Sequence, residues 1–466
     1  MRKKALLALL LVMTLALSSC ALIVKDAEVD AKTEILRLGD QVVLKEEVQS
    51  SVDYQLYYMA AMYAQFGYNY DVTDPSSIQE ARDSVISSLR RNMVLNAKAA
   101  ELGLDQLSEE EETQVKADAE SSLESDLESE RSYLQSQNPE LEGDALEEAV
   151  LKEIGGDLDA VRENYIKTQR DTLIRNKLRE QTVKDVDVTD DEIQADFDSK
   201  VEADKEKYIS DAGAWATAAN RGTTTLYYTP AGVRRVKQIL IKFTEDDSNA
   251  LTEAKAAVTD AANAVTTEQN KVTAAQEIID REDATEDEKA QATADLEEAN
   301  KALEEANKAL EEANAKVNEV TEAAFANIDS AADEVIAQLK DGADWDTLMA
   351  EKNEDPGMQA GAVTAETGYA VAAEGTSFDT AFVDAAMALA NVGDVSDKVR
   401  STAGYGYYII KYIGDETEGA ISLEGDVKQA IYDALLSDKQ SSYYEETVTK
   451  WIEEAHVTEN LGALND

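Results

Sequence analysis

Two runs of apolar residues at alternating three- and four-residue spacing constrain this chain more than any other feature in it. The first is Leu251, Ala254, Val258, Ala261, Val265, Val272, Ala275 and Ile279, with Glu268 in its one gap. The second is Ala292, Leu296, Ala299, Leu303, Ala306, Leu310, Ala313, Val317 and Val320. Such a repeat lays one stripe of each helix against a partner helix. The pattern breaks over 280–284, and Thr285 with Glu288 restarts a helix through a capping box. Equal arms around a short break predict an antiparallel hairpin about 40 Å long at 1.5 Å per residue. Alanine at many seam positions lets the helices approach closely but buries little area, which makes the arm stiff yet marginal on its own. A hairpin returns to its starting point, so the segment ending near Lys242 and the helix beginning near Ser330 are expected to be neighbours in one small body.

Those flanking segments read as sheet and helix. Val233 to Lys242 alternates and is rich in β-branched residues, which predicts a half-buried strand. Ala331, Val335, Ile336 and Leu339 recur at helical spacing and stop at Gly342. Asp355-Pro356-Gly357 is a turn, Phe378 to Leu389 a helix with Phe382, Ala385, Ala386 and Leu389 along one side, and Tyr405 to Lys411 a closing strand.

In these blocks, in this order, the chain resembles the parvulin-type peptidyl-prolyl isomerases, or rotamases. Arg235 to Leu240 is similar to the family's first strand, Gly342-Ala343-Asp344-Trp345 to a turn, and Glu354-Asp355-Pro356-Gly357 to a loop. Phe382 to Leu389 is similar to a helix of the family, and Gly393 to Ser396 with Tyr405 to Lys411 to its ending. The likeness covers about 90 of the 466 residues, and the hairpin replaces the loop between first strand and first helix, beside the family's substrate groove. The resemblance implies an α+β fold: a helical chaperone module plus a parvulin-like antiparallel sheet with helices, interrupted by a long antiparallel coiled-coil hairpin.

It also implies a site. The family's pocket is an apolar cup for a proline ring, edged by a few polar groups and working without cofactor or covalent intermediate. Such a site lowers a barrier of about 18–20 kcal/mol by favouring the twisted amide over the planar one. Carried over by position, the acidic group falls on Asp355, the two family histidines on Gln238 and Tyr408, the cup methionine on Phe378 and the cup phenylalanine on Phe382. Met387 and Tyr405 complete the substrate-contacting set. The family's glycine-rich loop is reduced here to 361–368. With both histidines replaced, two readings stay open: an isomerase in which Gln238 and Tyr408 act as neutral hydrogen-bonding groups, and an inactive fold kept as a platform.

The first twenty residues read as an address. Arg2, Lys3 and Lys4 precede an apolar run over 5–17, short for a membrane span, and Leu17-Ser18-Ser19-Cys20 follows. This resembles a bacterial lipoprotein signal, which implies lipidation at Cys20 and an extracytoplasmic protein held at the outer face of the cell membrane. Cys20 is the sole cysteine and His456 the sole histidine, which leaves no thiolate or imidazole zinc site, no disulfide framework and no supported Ser/His/Asp triad. The chain holds 96 acidic and 44 basic residues, a net charge of −52, which repels nucleic acid and anionic lipid headgroups. No metal and no nucleic-acid partner is expected. The expected partners are unfolded exported proteins with Xaa-Pro bonds, and the membrane through the N-terminal lipid.

Between address and sheet the chain is helical. After a tether over 21–34, Ile35 to Leu44 reads as strand, Gly-Asp turn, strand. Lys45 to Phe66 reads as a helix with Val48, Val52, Leu56, Met59, Tyr63 and Phe66 on one stripe. This is either core or an adaptable methionine and tyrosine surface for unfolded chains, and core is the simpler reading. Helices over 76–102 and from Ser108 follow, the latter opened by a Ser108/Glu111 capping box, and Thr189 with Glu192 opens another. Ala99 to Leu104 and Ser108 to Glu111 resemble the helical chaperone module of exported foldases. That resemblance implies a C-terminal helix carrying Tyr444, Val448 and Trp451, and a strand over 455–458 pairing with 35–38. The expected domains are a helical module over 35–208 completed by 420–460, a linker over 209–232, a parvulin-like body over 233–244 plus 328–414, a hairpin over 249–325 and a C-terminal helix and tail over 415–466. A folding factor for exported proteins and a structural or interaction lipoprotein are the two functional classes consistent with this pattern. The arm reads either as a device that cradles clients or touches the secretion machinery, or as a tolerated surface insertion whose ends happen to be close.

Overall fold

The computed structural model describes residues 27–465, so Cys20 and the address segment lie outside the described residues. The chain divides into two compact units, one reaching to Val188 and resumed from Tyr432, the other spanning Thr189–Ile431. Among the described residues no helix is long and apolar enough to cross a membrane.

In the first unit, Glu34–Leu38 and Gln41–Leu44 turn back on each other at Gly39, whose φ of 57° suits a residue without Cβ. Thr458–Glu459 pairs antiparallel with the free edge of Glu34–Leu38, making three strands. The helices Lys45–Gln65 and Pro75–Glu101 bury Val48, Val52, Leu56, Val85 and Ile86 with Ile35 and Leu36 of the sheet. Asp74 caps the second of them, its carboxylate accepting from the Ser76 and Ser77 N–H groups, and Pro75 occupies the first turn where no donor is needed. The core stripe of the first helix ends at Leu56. Met59 is half-buried and Tyr63 and Phe66 are exposed, so its outer half is surface and not core. Ser108 and Glu111 close the expected capping box on the helix Glu109–Gln137. The long C-terminal helix Gly425–Glu454 buries Tyr444 and Val448 against Leu95, Ala99, Leu178 and Val183.

The second unit begins with a Thr189/Glu192 capping box and the helix Asp190–Tyr208. This helix lies with the sheet unit and not with the helical module to which its sequence pointed. The cause is burial: Tyr208 packs with Trp215, Ala216, Val233 and Ala370. For the same reason 209–232 is no linker. Ala212–Arg221 is a helix whose Trp215 indole donates to the Tyr228 carbonyl at 2.7 Å, and a Cβ on Gly213 would meet the Glu374 and Gly375 backbone at 2.3 Å. The small residues there serve close packing rather than flexibility.

Four antiparallel strands follow in the order Tyr369–Ala372, Val233–Lys242, Gly406–Asp415, Val399–Arg400. Val233–Lys242 is covered on both faces, where its alternation suggested one. Ile239 and Ile241 face Phe325, Ile328, Val335 and Trp345, while Val236 and Leu240 face Phe382, Val383, Ala386 and Ile410. Burying each such large side chain contributes about 1.5–3 kcal/mol. The hairpin is Glu245–Asp280 and Glu286–Lys340, the second opened by the Thr285/Glu288 capping box. No new helix starts near Ser330; the returning arm runs on without a break and lays its last turns on the sheet. Lys398 binds Asp329 and Asp333 there, each at 2.6 Å. Along the seam Ala254, Ala275, Ala292, Ala299 and Ala306 are buried, whereas Leu296, Leu303 and Leu310 are only half-buried.

Candidate functional site

The site begins where the chain leaves the helix Trp345–Lys352 and runs beside the 233–242 strand. The Asn353 side-chain oxygen accepts the Leu240 and Asp355 N–H groups at 3.0 Å each, the Glu354 N–H donates to the Leu240 carbonyl at 3.0 Å, and the Lys242 N–H donates to Glu354 at 2.7 Å. Stitched to the strand in this way, the loop delivers Asp355 onto Gln238. Gln238 Nε2 donates to Asp355 Oδ2 at 2.6 Å, the Tyr369 hydroxyl donates to the same oxygen at 2.9 Å, and Oδ1 accepts the Gly357 N–H at 3.0 Å. Asp355 and Gln238 are both buried. Gly357 is required by this contact, since a Cβ there would sit 1.8 Å from the Tyr369 hydroxyl oxygen. Burial, followed by the neighbouring Asp355 carboxylate, pushes the Tyr369 hydroxyl well above the usual tyrosine range, so it keeps its proton and remains a donor.

Gln238 Oε1 is buried and has no hydrogen-bond partner among the described residues. Leaving such an acceptor unpaired costs about 1–3 kcal/mol, and it is the polar atom of this cluster still open to a donor.

Beside the cluster runs a row of rings. Tyr369 and Phe378 lie 5.2 Å apart, Phe378 and Phe382 5.1 Å, and Phe382 and Tyr408 5.4 Å between centroids. Strand register puts Leu240 opposite Tyr408 and Gln238 opposite Ile410, so Gln238 and Tyr408 point to one face of the sheet. Phe382, at 2% exposure, and Tyr408 form a filled floor. Phe378 and Met387 are half-buried and offer apolar surface to solvent, and Tyr405 is exposed.

A second carboxylate closes the far end of the row. Asp379 caps the helix Thr380–Ala388 through the Ala381 N–H and accepts from the Ser401 hydroxyl at 2.6 Å, the Thr402 hydroxyl at 2.5 Å and the Ala403 N–H at 3.0 Å. Burial works against its charge, but these donors outweigh burial and hold its pKa down at about 2. The Tyr408 hydroxyl belongs to this network, 3.3 Å from Asp379 and 3.1 Å from the Ser401 oxygen, and burial pushes its pKa up.

The three polar positions expected from sequence are therefore split. Gln238 and Asp355 meet; Tyr408 turns to Asp379 and Ser401 instead, because Ser401 and Thr402 bring hydroxyls to that end of the sheet. Tyr369, Asp379 and Ser401 were not anticipated. Asp379 was legible as a cap preceding a helix, whereas Tyr369 has no local signature and reaches Asp355 only because it pairs with Val236 across the sheet. Among the described residues no group of three or more histidine, cysteine or carboxylate side chains is placed to hold a metal ion.

No protein-family model and no curated protein matches this sequence. Among solved structures, the crystal structure of foldase protein PrsA from Streptococcus pneumoniae str. Canada MDR_19A is 14% identical over 93% of this chain and 97% of that one. The TM-score of that match is 0.20, and a likeness so slight assigns neither architecture nor activity.

Proposed function

We propose that this protein is a folding factor for unfolded exported chains, with the second unit serving as a parvulin-type body that seats proline-containing segments on Phe378 and Met387 beside Gln238. The observation that carries this reading is the buried Asp355–Gln238–Tyr369 cluster set against the Phe378–Phe382–Tyr408 row. Of these residues, Asp355 and Phe382 keep the type that the isomerase family has at the matching positions, while Gln238 and Tyr408 stand in place of its two histidines and Phe378 in place of its methionine. An apolar ring surface favours the twisted Xaa-Pro amide, which has lost resonance and with it much of its dipole. Uncatalysed isomerisation takes tens of seconds or more, so modest acceleration is useful to a chain emerging unfolded. The address segment supports export, with a lipid on Cys20 holding the protein at the outer membrane face.

A second reading has its own support. The donors of the site are already committed, Gln238 Nε2 and the Tyr369 hydroxyl to Asp355 and the Tyr408 hydroxyl to Asp379 and Ser401. Such a site binds without accelerating isomerisation, as in an interaction lipoprotein built on an inactive parvulin fold.

Binding and isomerisation of a proline-containing peptide by the intact protein test both. Phe378→Ala is the informative variant because Phe378 is half-exposed, whereas Asp355→Ala strips three donors of their acceptor. Binding that weakens by about tenfold in Phe378→Ala supports the site, and acceleration lost alongside it supports the isomerase. Binding without acceleration supports the second reading. A peptide that does not bind refutes both.

A further inference from the structure

We infer that the outer half of the Lys45–Gln65 helix and the loop after it form a docking surface for unfolded polypeptide, specifically for segments that combine apolar side chains with lysine or arginine. The inference deepens the folding-factor reading and rests on it, but the surface belongs to the first unit and is separate from the proline site.

The helix outruns its cover. Val48, Val52 and Leu56 are in the core, and the same stripe then continues through half-buried Met59, through Tyr63, whose ring meets Tyr70 at 5.3 Å between centroids, and through exposed Phe66. On the opposite side Tyr54 and Tyr57 are 70% and 71% exposed, Tyr58 is more than half exposed, and Phe66 at 72% and Tyr68 stand out at the tip. No charged residue occurs between Asp53 and Asp71, in a chain of net charge −52 that is 30% charged. Exposed aromatic surface of this density on a soluble unit marks an interaction face. A groove of about 350 Å³ lies along the covered half of the helix, floored by Val52, Leu56, Val72 and Ile78, with Asp53 and Arg82 among its lining.

Charge selects the occupant. Asp53 and Asp71 bound the uncharged run, and the chain as a whole carries a net charge of −52. A second copy brings the same excess of negative charge, and anionic lipid is repelled for the same reason. An extended segment with lysine or arginine between apolar side chains meets both demands: its cations find the bounding carboxylates and the tyrosine faces, and its apolar groups cover the rings. Tyrosine and methionine fit varied sequences because they combine apolar area with polar tips or soft, flexible shape.

The probe is a fluorescein-labelled peptide of leucine, serine and lysine without proline, with a twin carrying glutamate for lysine. Binding is measured by anisotropy with the intact protein, with a Tyr54→Gln, Tyr57→Gln, Tyr58→Gln, Phe66→Gln variant, and with Phe378→Ala. Glutamine preserves helix propensity, and circular dichroism checks the fold. The expected result is at least tenfold weaker binding of the lysine peptide to the quadruple variant, at least tenfold weaker binding of the glutamate peptide to the intact protein, and no change for Phe378→Ala. Equal binding of the two peptides, or unchanged binding by the quadruple variant, overturns the surface while leaving the proline site to its own assay. A concentration-dependent dimer abolished by the four substitutions also overturns it and makes the face a self-interface. Failure of the intact protein to bind these peptides and the proline-containing one alike refutes the folding-factor reading as well.

Discussion

Replacing Gly357 with alanine puts a methyl carbon 1.8 Å from the Tyr369 hydroxyl oxygen, where ordinary contact begins near 3.4 Å. The hydroxyl must retreat by well over an ångström, which breaks its 2.9 Å hydrogen bond to Asp355. A hydrogen bond to a charged acceptor contributes about 1.5–3 kcal/mol; the low end applies here because Asp355 keeps Gln238 and the Gly357 N–H as donors. Forcing this half-buried ring aside adds about 1–3 kcal/mol, so Gly357→Ala is expected to cost about 2.5–4.5 kcal/mol. Tyr369→Phe alone costs about 1.5 kcal/mol by the same hydrogen bond. In the phenylalanine background the nearest obstacle is the ring carbon at 2.9 Å, a much smaller intrusion costing about 1 kcal/mol. The two substitutions are therefore coupled by at least about 1.5 kcal/mol. Guanidinium unfolding followed by fluorescence in a Trp451→Phe background reports on Trp215 and Trp345, both buried in the second unit. Additivity within about 0.5 kcal/mol would mean that the glycine does not hold open the path from Tyr369 to Asp355.

Asp379→Asn tests the far end of the row through pH. The carboxyl is held at about 2 in the folded protein, below its ordinary value near 3.8, so its contribution is present above that ordinary value and is lost as pH falls from about 4 to about 2. The stability gap between wild type and variant is expected to be widest near neutrality and to shrink through that window; a gap that does not vary with pH sinks the assignment. Removing two heptads from each arm, 258–271 with 300–313, keeps the seam in phase and deletes none of the residues that pack the sheet. The second unit is expected to lose less than about 1 kcal/mol in the same fluorescence assay, since shortening a loop whose ends already meet changes little entropy. A larger loss shows that the arm supports the body beneath it.

Much of this architecture is local and therefore legible in the chain. Capping boxes at Ser108, Thr189 and Thr285 lie where side chain and backbone three residues apart satisfy one another, and the heptads between Leu251 and Val320 fold on each other for reasons contained in their own spacing. The hairpin also told which two distant segments must meet, and Ile241 and Phe243 do share one core with Phe325, Ile328 and Val335 of the 286–340 helix. What sequence could not decide was how far each burying surface extends. The 233–242 strand alternates like a one-sided strand yet is covered twice, the 45–65 stripe promises core beyond Leu56 yet runs out of partner, and the alanines and glycines of 209–232 suit a linker as well as a tight packing surface. Periodicity describes what a segment is able to bury, whereas its partner's length and position determine what it does bury. The site divides the same way: Gln238 and Asp355 were found by position, but Tyr369 joins them, and Tyr408 leaves for Asp379, only because strands 369–372 and 406–415 flank the same neighbour. Contacts between residues over a hundred positions apart, such as Tyr369 beside Val236 and Asp355 on Gln238, depend on strand register and on the loop stitched to the strand edge, and both exist only once the sheet has closed.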